Sequence, residues 1–170
     1  MSVVTWLNGL APHECVDVFM RCCGSSKWAH EMAASRPFAD IEAVHHHADV
    51  HWALVTRDDV MEAFSHHPKI GASMESLREK FAKTATWSAG EQQAVGQADE
   101  AVLERLRDGN VAYEARFGYI FIVCATGKTA AQMLELLEAR LSNAPDDEFA
   151  IAKGEQAKIT HLRIDKLEAP

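Results

Sequence analysis

Apolar residues recur three and four apart along most of the chain, and Gly, Pro, Ser and Asp interrupt them where helices would stop and start. After a short lead-in segment at 5–10, Pro12 suits the first turn of a helix over 12–23, with Cys15, Val18, Phe19 and Cys22 on one face. Gly24-Ser25-Ser26 ends it. Ser26 caps a second helix over 27–34, and Arg36-Pro37 stops that one. Asp40 caps a third, reaching 57, with Val44, Ala48 and Leu54 as its apolar positions. Asp58 or Asp59 opens a fourth that carries Val60, Met61 and Phe64 and closes at His67, because Pro68 disfavours helical backbone in the residue before it.

The stretch 70–86 reads as a long loop holding one or two helical turns around Leu77 and Phe81. Ser88 then opens a long helix with Val95, Ala98, Val102 and Leu106, which Gly109 closes, and Asn110 caps a shorter helix to 116. Residues 119–124 are β-branched and aromatic; with no partner run they read as a buried extended segment or a helix start. Helices over 129–141 (Met133, Leu134, Leu137, Leu141) and 145–167 (Phe149, Ile151, Ile159, Leu162, Leu167) complete the pattern. The expected architecture is all-α, one multi-helix bundle domain over 1–170 with one short extended apolar segment.

Composition narrows the function class. A net charge of -8 at pH 7 argues against a nucleic-acid backbone as partner, which needs clustered basic residues. No apolar run approaches the roughly 18 residues that span a bilayer, and the first ten residues have no signal-peptide pattern. A cytoplasmic protein is expected. Cys15 and Cys22 share a helix face but lie ~10 Å apart along it, too far for a disulfide. With Cys23 and Cys124 they read as small buried hydrophobes.

Three stretches and one arginine have the chemistry of a site. His67 sits on a stiffened helix exit, where an imidazole either caps carbonyls or faces a cavity and handles a proton near neutral pH. Ser88-x-x-Glu91 is a capping box, yet Glu91 and Gln92 in a helix's first turn can also face a ligand. His45, His46, His47 and His51 are solvated histidines or, with His47 and His51 on one face, part of a transition-metal site that lacks an evident third ligand. Arg163, among apolar neighbours, is either ion-paired or an anion contact. Gly127-Lys128-Thr129 lacks the earlier glycine of a phosphate loop, since Ile122 stands there.

Four segments taken together resemble the 2-oxo-4-hydroxy-4-carboxy-5-ureidoimidazoline (OHCU) decarboxylase family. They are His66-His67-Pro68-Lys69-Ile70-Gly71, Trp87-Ser88-x-x-Glu91-Gln92, the run from Asn110 through Tyr113 to Phe117 and on to Ala125, and Ile159-x-x-x-Arg163-x-x-Lys166-Leu167. The resemblance covers nearly the whole chain in order. It implies an all-helical fold, a homodimer, no cofactor and no metal, OHCU as substrate, and (S)-allantoin and CO2 as products. It implies His67 as the catalytic acid, with Glu91 as a second catalytic group. It makes Pro68, Ser88, Gln92 and Arg163 substrate contacts, together with Phe121, Ile122, Val123, Cys124 and Ala125, this last run through its backbone. The tract around His45 belongs to none of the family's motifs. The readings weighed against this one are a non-catalytic helical interaction module and a His-rich metal-binding protein.

Overall fold

The computed structural model describes residues 1–69, 73–81 and 92–170, the side chains of 92–98 excepted. Among these residues there are nine helices and no strand. They are α1 Val3–Gly9, α2 Pro12–Cys22, α3 Ser26–Ala34, α4 Ile41–Leu54, α5 Arg57–Ser65, α6 Met74–Phe81, α7 Gln92–Phe117, α8 Ala130–Leu141 and α9 Pro145–Asp165. No described helix is long and apolar enough to cross a membrane.

The helices group into two compact units that share the chain discontinuously. The first comprises Met1–His67, Ile122–Cys124 and Ile151–Pro170; the second comprises Pro68–Phe121 and Ala125–Ala150. In the first unit most of the apolar positions expected on α2 to α5 are buried, whereas those expected on α9 are not: Ile151 is exposed and Ile159, Leu162 and Leu167 are half-buried. Leu7, Phe19, Trp28, Met32, Val44 and Ile164 are all at most 1% exposed. Each such side chain contributes about 1.5–3 kcal/mol on leaving water. Phe19 meets the Trp28 and Phe38 rings edge-on, and the Trp28 indole N–H donates to the Ala48 carbonyl at 3.0 Å, so its one polar atom is satisfied in the core.

The second unit centres on Tyr113 of α7, buried completely with Leu106 and Leu137. Here a buried ion pair stands in the core. Arg140 Nε donates to Glu148 Oε1 at 2.8 Å, Asn143 donates to Glu148 Oε2 at 2.9 Å, and the Tyr113 hydroxyl donates to Glu148 Oε1. With Arg140 Nη2, which also donates to Glu148 Oε1, four donors meet one carboxylate that has no access to water. The Arg140 guanidinium lies over the Phe121 ring, 4.6 Å from its centroid. Burial and the Glu148 contact push the Tyr113 phenol well above its usual range, so it stays a donor.

Several expected boundaries shift for identifiable reasons. Residues 3–9 are a helix capped by Ser2, where a lead-in segment was expected. Ser25, not Ser26, caps α3, because Ser26 spends its hydroxyl and amide on Glu62. Thr56 and Asp59 form a reciprocal capping box, so α4 stops at Leu54 and α5 begins at Arg57. Trp52 continues the buried stripe of Val44 and Ala48, leaving Leu54 74% exposed. The helices expected on either side of Gly109 are one, α7. A Cβ at Gly109 would sit 2.7 Å from a Leu137 methyl, so this glycine serves the close approach of α7 and α8 instead of ending a helix. Asn110 donates to the Leu106 carbonyl within the same helix rather than capping a new one. Residues 119–125 are neither strand nor helix. They run as an irregular segment with Tyr119 and Ile122 buried, in keeping with the extended reading.

Candidate active site

His67 leaves α5 one residue past its C-cap, His66, with its amide bonded to the Phe64 carbonyl at 3.2 Å. What fixes this exit is Gly24. A Cβ there would fall 2.4 Å from Cβ and 2.5 Å from Cγ of His66, so the root of the His66 side chain lies where any other residue's side chain would be. Gly24→Ala is therefore expected to cost about 1–3 kcal/mol of stability by overpacking, measured by urea unfolding. Values within 0.3 kcal/mol of the parent would mean the exit is not held this way.

The ring of His67 turns toward α9. Its Nε2 lies 2.5 Å from Gln156 Oε1, and Gln156 is 1% exposed. Gln156 Nε2 donates to Thr160 Oγ1 at 3.2 Å, and the Thr160 hydroxyl donates back to the Gln156 carbonyl at 3.0 Å. Arg163, one turn on, donates to the Cys22 carbonyl at 3.2 Å, closing off the end of α2. It has no carboxylate within ion-pair distance among the described residues. Burial lowers the pKa of His67 below the ordinary histidine value; the Gln156 hydrogen bond partly opposes this, and the charge of Arg163 and neighbouring His66 add to it. These effects together favour the neutral ring.

Burial pushes the Cys22 thiol up to about 12 and the Cys23 thiol to about 11, so neither is a nucleophile near neutrality. None of the four cysteines is in a disulfide, and Cys124 is half-buried where full burial was expected.

The first unit thus holds His67, Ile122, Val123, Cys124 and Arg163 from the set expected by sequence. Pro68, Phe121 and Ala125 belong to the second. The Phe121 ring is occupied by Arg140 and by an edge-on contact with Tyr113, so its backbone is what remains to meet a ligand. Gln92 begins α7; Ser88 and Glu91 lie outside the described residues.

The histidine tract is engaged otherwise. His45 bonds Asp165 at 2.7 Å and stacks on His161, which bonds Asp49 at 2.6 Å. His51 bonds the Ser35 hydroxyl at 2.7 Å and stacks on His47. Among the described residues no group of three or more His, Cys, Asp or Glu is placed to hold a metal. A separate cavity of about 560 Å³, lined by Ser2, Asn8, Phe38, Asp40 and Ile164 among others, takes in none of the site residues.

Hydrophobic periodicity missed Gln156 and Thr160. The buried face of α9 is Glu148, Ala152, Gln156, Thr160 and Ile164, strictly four apart, and three of the five are polar. The available signal was that spacing of small and polar residues against a helix with no clear apolar side.

The profile of the OHCU decarboxylase family matches residues 8–165. The chain belongs to the OHCU decarboxylase family. It is 41% identical over 153 residues to the uric acid degradation bifunctional protein TTL of Arabidopsis thaliana, covering 89% of this chain and 46% of that one. It is 24% identical over 159 residues to the 2-oxo-4-hydroxy-4-carboxy-5-ureidoimidazoline decarboxylase of Haloferax volcanii, covering 93% and 91%. This chain spans about half the length of the Arabidopsis relative. Among solved structures, an OHCU decarboxylase crystallised in the presence of (S)-allantoin superposes with a TM-score of 0.71 at 38% identity, covering 88% of this chain and 96% of that one. The all-α fold expected from the periodicity is the fold of this family.

Proposed function

We propose that the chain is a carboxy-lyase of urate breakdown that decarboxylates OHCU to (S)-allantoin and CO2. The observation that carries this is a half-buried His67 held by hydrogen bonding to Gln156, on the same unit as an arginine with no carboxylate partner among the described residues, in a chain of the OHCU decarboxylase family.

The substrate's own heterocycle accepts the electron pair left when the carbon–carboxylate bond breaks, so no external electron sink is called for. The chain then has three tasks: orienting the ring, stabilising charge that develops on it, and handling a proton on one face. Arg163 offers its remaining guanidinium N–H groups to an anionic oxygen. The backbone of 121–125 contacts the ring, with Pro68 beside it. Ser88, Glu91 and Gln92 complete the binding set, Gln92 reading an amide by donating and accepting at once. His67 delivers the proton to the ureido-bearing carbon and so sets its configuration. The reading carries with it one functional domain over 1–170, a homodimer and a cytoplasmic location.

The test is optical. With OHCU generated in place from urate by urate oxidase and 5-hydroxyisourate hydrolase, adding this protein should speed the appearance of the circular dichroism of (S)-allantoin. Decay at the spontaneous rate to racemic product would reject the activity.

A further inference from the structure

We infer that Gln156 and Thr160 are positioning residues that fix the tautomer of His67, leaving Nδ1 as the atom that exchanges a proton with substrate. For its consequence in turnover this rests on the decarboxylase reading; for the tautomer it does not.

The argument follows hydrogen-bond polarity along α9. A backbone carbonyl only accepts, so the hydroxyl proton of Thr160 is committed to the Gln156 carbonyl at 3.0 Å. Thr160 Oγ1 can then only accept from the Gln156 side chain, which must present its NH2 there, at 3.2 Å. The Cys23 thiol, a further hydrogen-bond partner of Thr160, keeps its proton up to about 11 and so does not draw the hydroxyl away. The amide is therefore oriented, and its oxygen faces His67. An amide oxygen cannot donate, so Nε2 of His67 carries the proton. In the neutral ring Nδ1 is then a bare acceptor, and it has no hydrogen-bond partner among the described residues.

This assigns an order to the proton's movements. Nδ1 first accepts the proton of the substrate's ring hydroxyl as the carbon–carboxylate bond breaks and CO2 leaves. The hydroxyl carbon becomes a carbonyl, and Nδ1 returns that proton to the neighbouring ureido-bearing carbon. The ring nitrogen that received the electron pair takes one proton from solvent. One proton is relocated, one is consumed, and no oxidant or reductant is involved. His67 is the donor only after it has been the acceptor.

Among the described residues, the charged and titratable groups about the ring are Arg163 on α9 and His66 in its own turn, with Cys23 reached through Thr160. The test uses ¹⁵N-histidine NMR of the full-length protein across neutral pH, with Gln156→Glu and Thr160→Val. In the parent, the His67 ring should show a protonated Nε2 and a bare Nδ1; a neutral ring protonated at Nδ1 overturns the inference. Thr160→Val frees the amide to rotate, so an Nδ1-protonated population should appear and kcat should fall about tenfold, with KM within about twofold. Gln156→Glu keeps an acceptor for Nε2–H and adds a charge that favours the imidazolium. The acid limb of its kcat/KM profile should move up by about one pH unit or more, with kcat retained above it. An unchanged ring spectrum in Thr160→Val, or an unmoved acid limb in Gln156→Glu, means that these residues only pack. If the parent fails to accelerate decarboxylation, the proposed function fails while the ring spectra still decide the tautomer.

Discussion

His67→Ala is expected to lower kcat by about two to four orders of magnitude while the protein stays folded. The same substitution should remove the optical preference of any residual product, because the remaining protonation comes from water on either face. The fold survives because His67 is a half-buried residue outside α5. Its loss strips Gln156 Oε1 of a partner, at a cost of about 1–3 kcal/mol. Circular dichroism reports both quantities: the far-ultraviolet melting curve for the fold, and the allantoin signal for turnover and handedness. Retained enantiomeric excess with reduced rate would move the stereochemical proton to another residue. An unchanged rate would remove His67 from the chemistry.

The second large effect is on stability. Glu148→Ala is expected to lower the unfolding free energy by about 3–5 kcal/mol, because it removes the buried carboxylate that pairs with the Arg140 guanidinium. It also strands the donors on Tyr113 and Asn143. For a chain of this size, about 10 °C of melting temperature should be lost. Glu148→Gln keeps the shape and one acceptor oxygen but not the charge, so it should fall between the parent and the alanine variant. Calorimetry of the three proteins decides the point. Equal melting temperatures for all three would show that the ion pair's desolvation cost cancels its attraction. The consequence reaches the candidate site, because the guanidinium that Glu148 holds is the one lying on Phe121. Loosening it frees the segment whose backbone is proposed to meet the substrate.

The position of His67 was open to sequence reading because it depends on the residue next to it. Pro68 forbids α5 from continuing, so the imidazole before it had to stand at a helix exit. The helix caps were nearly legible, missing by one or two residues where two adjacent polar residues competed. Ser25 won over Ser26 only because Glu62, 36 residues away, claims the other serine. Gly109 was misread for a related reason. A glycine in a helical pattern suits a stop, and only the Leu137 methyl 2.7 Å from its missing Cβ reveals that it serves packing.

The alternation of apolar and polar residues determined the helical class, the order of the helices and the exit that carries His67, since these follow from backbone preferences and burial over a few neighbouring positions. Tertiary structure alone decided what the buried face of α9 is for. Glu148, Gln156 and Thr160 are buried through hydrogen bonds to Arg140, His67 and their own helix, and the Gln156 contact spans 89 residues of sequence. A pattern of hydrophobicity registers the burial of groups that avoid water. It carries no record of polar groups whose burial is made tolerable by a partner that only folding brings within reach.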